Sequence, residues 1–512
     1  MPPSHGGGHW FEPSVAHHRP MTTATYALLE RLREAAGKRS LPPIQMAAIK
    51  HHVVNRLLDD REPILVSTNG KNGNGIAKWQ PLDWRAMEAH AGFSRLAADD
   101  QLAVRTAASV WPFRVNQYVV DHLIDWDAAP DDPIFRLTFP QREMLSEADF
   151  GHMRDLIAQD APAPELKAAA DAIRLRHNPH PAGQVDLNVP MLDGERVRGV
   201  QHKYRETVLF FPSHGQQCHA YCAYCFRWPQ FVGLDDLKFA NADVDSLLKY
   251  LSSHQDVSDV IFTGGDPMIM KTRVLRRYIE PLLDPAYDHV TSIRIGTKAP
   301  AYWPQRFVTD PDADDLLSLF EEVRAAGKNL ALMAHYSHPR ELSTGIAREA
   351  VRRIRDAGAV VRCQAPVVQH VNDSGDTWAE MWRTQVELGA IPYYLFVERD
   401  TGPRNYFEVP LGRALDIYND AIRQTSGLAR TARGPSMSAT PGKVIVDGVT
   451  TIHGECVYIL KMLQARDPGL VGHVFFAKYD PHATWLDDLE PAFEDELSPI
   501  RNAGIDSILV GK

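Results

Sequence analysis

Cysteine is scarce in this chain, five in 512 residues, and that speaks against a disulfide framework. Runs of about 18 uncharged apolar residues are missing, so no membrane-spanning helix is expected. There is no excess of positive charge. With 55 Lys and Arg against 65 Asp and Glu, the formal net charge is −10, and neither nucleic acid nor an anionic membrane surface is an expected partner. The opening residues, MPPSHGGGHW, lack a basic start followed by an apolar run. A secretory signal is therefore not expected, and the reducing cytoplasm is the expected compartment.

The scarce residue is unevenly placed. Three of the five cysteines fall in 214–231, HGQQCHAYCAYCFRWPQF, spaced Cys218-x3-Cys222-x2-Cys225. Thiolates this close can serve one metal centre, and thiolate is the ligand iron–sulfur clusters use. A closed [4Fe–4S] site takes four protein ligands, and no fourth cysteine lies nearby, so three would leave one iron open. Zinc is an alternative, because His214 or His219 completes a Cys3His set. So is a group of inert, packed thiols.

Around this stretch the chain changes character. Residues 1–24, rich in Gly, Pro and His, read as a mobile arm, and 25–200 as a mainly helical region. In that region two amphipathic helices are expected between Tyr26 and Asp60, a flexible loop at Ser67–Gly75, and a helix from Met87 to Val110. The run 111–140 reads as a packed helix followed by an extended segment. From Glu206 onward, short β-rich runs at 207–211, 259–263, 290–296, 330–334, 359–363 and 392–397 alternate with helical stretches. That is the pattern of an α/β fold in which a right-handed series of six βα units curls into part of a TIM-type barrel, here over 201–410. The remainder, 411–512, reads as an extension that closes the barrel or forms an interface between subunits. Its acidic run, Asp487–Glu496, reads as a solvated face.

In such folds chemistry sits at the carboxyl ends of the strands. Those ends carry the cysteines, then Thr263-Gly264-Gly265-Asp266-Pro267, Arg294 with Gly296–Pro300, His335–Pro339, Gln364–Asp373 and Glu398-Arg399-Asp400. Glycines at a strand end let the backbone approach a ligand, and an acidic residue can hold an ammonium.

With Tyr224 just before the last cysteine, the three-cysteine spacing matches the radical S-adenosylmethionine (SAM) superfamily. Further pieces follow in order: HKYRE (202–206), CHAYCAYCFR (218–227), TGGDP (263–267), RIGTKAP (294–300), HYSHP (335–339), VNDSGDT (371–377), PYYLF (392–396) and GKVIVDGVTTI (442–452). From Trp111 to Cys456 the chain resembles the lysine 2,3-aminomutase branch of that superfamily.

The resemblance implies that Cys218, Cys222 and Cys225 hold a [4Fe–4S] cluster whose open iron binds SAM, and that one electron then yields methionine and a 5′-deoxyadenosyl radical. It implies a low-potential reductant such as flavodoxin or ferredoxin as partner. It assigns Gly264, Gly265 and Asp266 to the SAM amino group, with His335, Gln364 and Asn372 as further SAM-pocket candidates. Arg227 takes the position of the arginine that grips the substrate carboxylate. Tyr204 and Lys203 match the family's stacking tyrosine and phosphate contact for pyridoxal phosphate (PLP).

The family's Schiff-base lysine has no counterpart in Arg433–Pro441, and only Lys443, next along, is a candidate in its place. The acidic residue that receives a substrate ammonium falls at Arg399 or, with a one-place slip, at Asp400. Cys363 and Cys456 read as packed thiols, since the family's zinc cysteines are absent. A radical SAM enzyme acting without PLP on a small carboxylate substrate, by rearrangement, elimination or oxidation, is the expectation. A PLP-dependent aminomutase and a non-catalytic iron–sulfur or zinc protein are the alternatives.

Overall fold

The computed structural model describes residues 81–234 and 237–493, all within one unit of the chain, Thr68–Lys512. The expected arm, the two helices before Asp60, the Ser67–Gly75 loop and the end of the acidic run lie outside the described residues.

The part before the barrel is helical: α1 (Ala98–Val110), α2 (Gln117–His122), α3 (Pro133–Thr138), α4 (Glu147–Ala158) and α5 (Ala163–Arg174). The helix expected from Met87 to Val110 is broken. A short helix ends at Glu88 and α1 begins at Ala98. Gly92 between them lies under the Trp126 indole, where a Cβ would come within 2.2 Å of the ring. The segment expected to be extended contains α3 instead, started by Pro133 at its first turn and by Asp132, which accepts from the amides of Ile134 and Phe135.

One eleven-stranded sheet follows, each strand bonded to its neighbours in sequence. Its members are β1 (Val200–Tyr204), β2 (Thr207–Phe210), β3 (Asp259–Phe262), β4 (Ser292–Thr297), β5 (Asn329–His335), β6 (Val360–Val367), β7 (Ile391–Val397), β8 (Arg433–Ser438), β9 (Gly442–Ile452), β10 (Glu455–Ala465) and β11 (Val474–Lys478). From β2 to β8 all pairings are parallel. The strands β9 to β11 continue antiparallel, as does β1 on β2. The expected partial α/β barrel is thus the fold, with all six expected strands in place. The segment with no lysine, 433–438, supplies a seventh parallel strand.

Helices cover the outer face: α6 (Val244–Ser253), α7 (Thr272–Ile279), α8 (Ala313–Ala325), α9 (Gly345–Asp356), α10 (Gly375–Glu387) and α11 (Leu411–Arg423). In α8 the buried residues Leu316, Leu319, Phe320 and Val323 repeat at helical spacing, and in α9 so do Ala347, Ala350, Val351 and Ile354. Along the strands the period is two. Val260 and Phe262, Ile293 and Ile295, Leu332 and Ala334, and Val361, Cys363 and Ala365 are buried under the helices. Each large apolar side chain buried there contributes about 1.5–3 kcal/mol. The alternate residues are left to face inward.

The sheet curls so that its first strand reaches the end of the parallel run: Lys203 on β1 donates to the carbonyl of Ala439, just past β8. A second apolar cluster, including Leu411, Val444, Tyr458, Phe475 and Trp485, packs the antiparallel extension. In the acidic run Asp488 is engaged structurally, accepting from Arg404 and from the amides of Thr484 and Trp485. Cys363 is buried as expected, whereas Cys456 is exposed, because it sits near the tip of the β9–β10 hairpin. Among the described residues no helix is long and apolar enough to cross a membrane.

Asn116 ties the helical part to the barrel. It is fully buried, accepts from the Val119 amide at 3.0 Å, and donates to the carbonyls of Tyr302 (2.9 Å) and His219 (3.4 Å). Replacing Asn116 by Ala orphans these groups and is expected to destabilise the protein by about 1–3 kcal/mol. Denaturant unfolding checks this, and an unchanged midpoint would refute the role.

Candidate active site

The inward side chains of the strands surround a cavity of ≈ 340 Å³. Cys218, Cys222 and Cys225 line it, together with Gly264, Gly265, Asp266, His335, Gln364, Arg227, Lys203, Tyr204 and Lys443. Motifs spread over 240 residues of sequence therefore meet on one surface. Two expected residues do not join them.

The cysteines lie on an irregular loop after β2, and its backbone is held from outside. The amide of Tyr221 donates to the Arg114 carbonyl (2.9 Å) and that of Ala223 to the Leu137 carbonyl (2.8 Å). Arg114 donates to the Cys218 carbonyl and to the Gln217 side chain, both at 3.1 Å. From the barrel side the Asp266 amide donates to the Gln217 carbonyl (2.9 Å). That approach requires glycine at 265, where a Cβ would come within 2.6–2.7 Å of the backbone of Gln216 and Gln217. Gly264 has φ +143°, which L side chains rarely adopt.

Burial pushes the Cys222 thiol up to about 11 and the Cys225 thiol up to about 12, with Cys222 adding to the shift at Cys225. Burial also raises Cys218, and the charges of Asp266, Cys225 and Cys222 raise it further. The thiols are neutral on their own at pH 7 and must lose protons to ligate a metal. Among the described residues, no three of His, Cys, Asp and Glu converge closely enough to hold one metal ion. Of the two histidines considered for a zinc set, His214 pairs with the Tyr278 hydroxyl at 2.8 Å, while His219 is fully buried with neither ring nitrogen hydrogen-bonded, its Nδ1 3.7 Å from the Asp266 carboxylate. Three thiols lining one cavity match the ligand set of an iron–sulfur cluster, in which each thiolate ligates its own iron.

Asp266, expected near the SAM amino group, lines the cavity with its carboxylate hydrogen-bonded within the protein. Its carboxylate accepts from the Met268 amide (3.0 Å), the Lys298 amide (2.8 Å) and the Thr297 hydroxyl at both oxygens (2.7 and 2.9 Å). A carboxylate has about four acceptor sites, so this one is a latch between the ends of β3 and β4. Asn372 lies off the cavity wall. Its amide is used up on the Val368 amide and on the carbonyls of Ser337 and Pro366. Asp400 also lies off it, accepting from Asn178 at 3.1 Å. Arg399 lines the cavity in its place.

His335 and Gln364 meet at 3.0 Å. Burial, with repulsion from Lys298 and Arg227, lowers His335 to about 3, so its imidazole is neutral. Arg227 stacks on Phe211 and Phe226, 4.5 and 4.9 Å from the ring centres, and remains a cation although burial lowers it to about 10. Burial and repulsion from Arg294, Arg433 and Arg399 bring Lys443 to about 7, its ammonium 4.1 Å from the centre of the Tyr394 ring.

Sequence reasoning missed Gln464 and gave Lys298 no definite role. Gln464 reaches the wall because β9 and β10 pair Lys443 with it; the alternation of GKVIVDG was the available signal. Lys298 pairs with the fully buried Glu341 at 2.7 Å.

A putative L-lysine 2,3-aminomutase of Aquifex aeolicus is 31% identical over 377 residues, covering 73% of this chain and 87% of that protein. The L-lysine 2,3-aminomutase of Bacillus subtilis is 27% identical over 290 residues, 53% of this chain and 58% of its own. No family model matches the chain. A solved radical SAM methyltransferase from Sphaerobacter thermophilus overlaps 45% of this chain and 66% of its own, with a TM-score of 0.31 and 14% identity.

Exchanging Gly265 for Ala drives a methyl group into the cysteine loop's backbone. The purified, anaerobically reconstituted variant is expected to hold much less iron and sulfide per chain than wild type. Equal iron content would show that the close approach is dispensable.

Proposed function

The chain belongs to the lysine 2,3-aminomutase family of radical SAM enzymes, and from that premise we propose that it abstracts hydrogen from a small carboxylate-bearing substrate without PLP, ending in rearrangement, elimination or oxidation. The observation that carries this reading is the shared wall: three thiols, the Gly264–Gly265 turn and Arg227 face one cavity. Cys218, Cys222 and Cys225 would hold a [4Fe–4S] cluster, and the backbone at Gly264 and Gly265, with His335 and Gln364, would hold SAM. When bound, these groups supply one-electron cleavage of the S–C5′ bond to methionine and a 5′-deoxyadenosyl radical.

The rest is the work of the chain's own residues. Arg227 offers a planar fork for a carboxylate next to the thiols, fixing which substrate hydrogen lies nearest. Tyr204 and Phe396 on the cavity wall keep water from a reactive intermediate. A reductant such as flavodoxin or ferredoxin is the implied partner.

A second reading, a PLP-dependent amino acid 2,3-aminomutase, is favoured by one observation. Lys443, which burial and neighbouring cations lower to about 7, presents its amine in the same cavity as Lys203 and Tyr204. Borohydride reduction followed by mass analysis separates the two, since a phosphopyridoxyl adduct on Lys443 supports the aminomutase.

Anaerobic, reconstituted protein with dithionite and SAM is expected to release 5′-deoxyadenosine, and C225S to release none. A fully loaded wild-type protein that leaves SAM intact would overturn the proposal in favour of a non-catalytic cluster protein. With a substrate in hand, Arg227→Ala is expected to raise KM roughly 10- to 100-fold, matching the ~1.5–3 kcal/mol of a charge-assisted hydrogen bond. An unchanged KM would remove Arg227 from the carboxylate site.

A further inference from the structure

The cysteine loop has two sides. Its thiols line the cavity, where SAM and substrate would sit, so an electron supplied by another molecule has to come through the loop's back. Most of that back is sealed. From Cys218 to Val232 every residue is buried or half-buried, whereas Ser213, His214 and Gln217, just ahead of the first cysteine, are exposed. Gln217 is one peptide link from Cys218. Its side chain accepts from Arg114, whose guanidinium also donates to the Cys218 carbonyl, both at 3.1 Å. The edge 213–217 is therefore a route of one residue from solvent to an expected cluster ligand.

This edge runs beside α7. Gly215 packs on the turn Pro267–Ile269, where an added Cβ would lie 3.3 Å from the Pro267 Cα and 3.4 Å from the Met270 Cε. His214 meets the Tyr278 hydroxyl at 2.8 Å. Lys271, which caps α7, and Arg273 and Arg277 within it are exposed.

In a chain of net charge −10, neighbouring arginines have carboxylate partners. Arg276 is taken up by Glu280, Asp315 and Glu322, Arg294 by Asp259, and Arg306 by Asp312. Lys271, Arg273, Arg277 and Arg114 form no ion pair among the described residues. Of the carboxylates nearby, Asp312 is bonded to Thr272 as well as Arg306, and Asp243 caps α6. Hydrated surface cations left unpaired steer a protein of opposite charge and fix its orientation, over a range set by the Debye length. Electron transfer weakens steeply with distance, so a carrier has to settle where the ligand's own backbone reaches the surface.

We propose that the face formed by Ser213–Gln217 with Arg114, Lys271, Arg273 and Arg277 is where an acidic one-electron carrier protein docks to reduce the cluster. One electron leaves the carrier and one enters the cluster; no bond is made or broken, and no proton crosses the interface. The proposal rests on the reading of Cys218, Cys222 and Cys225 as cluster ligands of a radical SAM enzyme.

The test compares two reductants on reconstituted full-length protein with SAM: reduced flavodoxin, which is acidic, and dithionite, which needs no docking face. In Lys271→Glu/Arg277→Glu, flavodoxin-driven release of 5′-deoxyadenosine at low salt is expected to fall at least ~10-fold, with dithionite-driven release within about twofold of wild type. Arg383→Glu/Arg430→Glu, the same charge change at two exposed arginines elsewhere, should leave both rates unaltered. Added salt should slow the flavodoxin-driven reaction of wild type and have little effect on that of the Lys271→Glu/Arg277→Glu protein.

A Lys271→Glu/Arg277→Glu protein that takes electrons from flavodoxin as fast as wild type overturns the proposal. So does an equal loss in the Arg383→Glu/Arg430→Glu control, or an equal loss with dithionite. Calorimetric binding of flavodoxin reads the face without turnover, so the two readings fail separately. Flavodoxin binding that weakens in Lys271→Glu/Arg277→Glu, with no deoxyadenosine from either reductant, supports the face and sinks the radical chemistry. Deoxyadenosine from both reductants, indifferent to that variant, does the reverse.

Discussion

The structure depends on how one irregular loop is held. Three cysteines within eight residues can ligate a cluster only if their backbone is fixed, and a loop without a strand or helix of its own cannot fix itself. Here the amides of Tyr221 and Ala223 are anchored to Arg114 and Leu137 on the helical side, and the Gln217 carbonyl is anchored to the Asp266 amide on the barrel side. Gly265 permits the second contact because it has no Cβ. Asp266 in turn is locked by the end of β4. The helical part before the barrel is therefore a component of the site.

Electrostatics divides the cavity. Near β4 each cation has its own carboxylate, and these pairs are structural. Along Arg227, Arg399, Lys203 and Lys443 the chain places four buried basic side chains without an ion-pair partner among the described residues, and burial with repulsion from neighbouring cations lowers Lys203 and brings Lys443 to about 7. Stability alone would favour the first arrangement everywhere, since a buried cation left unpaired is more costly than an apolar side chain of the same size. Local departures from stability rules tend to cluster where a protein works.

The radical SAM character of this protein was legible in the sequence. The Cys218-x3-Cys222-x2-Cys225 spacing, the TGGDP turn and the order of the strand-end motifs are local patterns, and local patterns survive without the fold. The six parallel strands were legible for the same reason, because period-two burial against helices leaves runs such as AspValIlePhe and LeuAlaLeuMetAla in the chain. The seventh strand, Arg433–Ser438, was not. Its Gly, Pro and Ser carry little strand propensity, and pairing with β7 decides its conformation.

Residue types and spacings thus determined the chemistry this chain can support. Tertiary structure decided which side chains face it. Asp266 has the sequence of a ligand and the hydrogen bonds of a brace, while Asn372 and Asp400 sit in motif positions and point elsewhere. Lys443 and Gln464 share a wall only because two strands of a hairpin pair across twenty residues. A sequence names the charges along a chain. The charge left over in a cavity is the difference between those that find a partner and those that do not, and that difference exists only once the chain has folded.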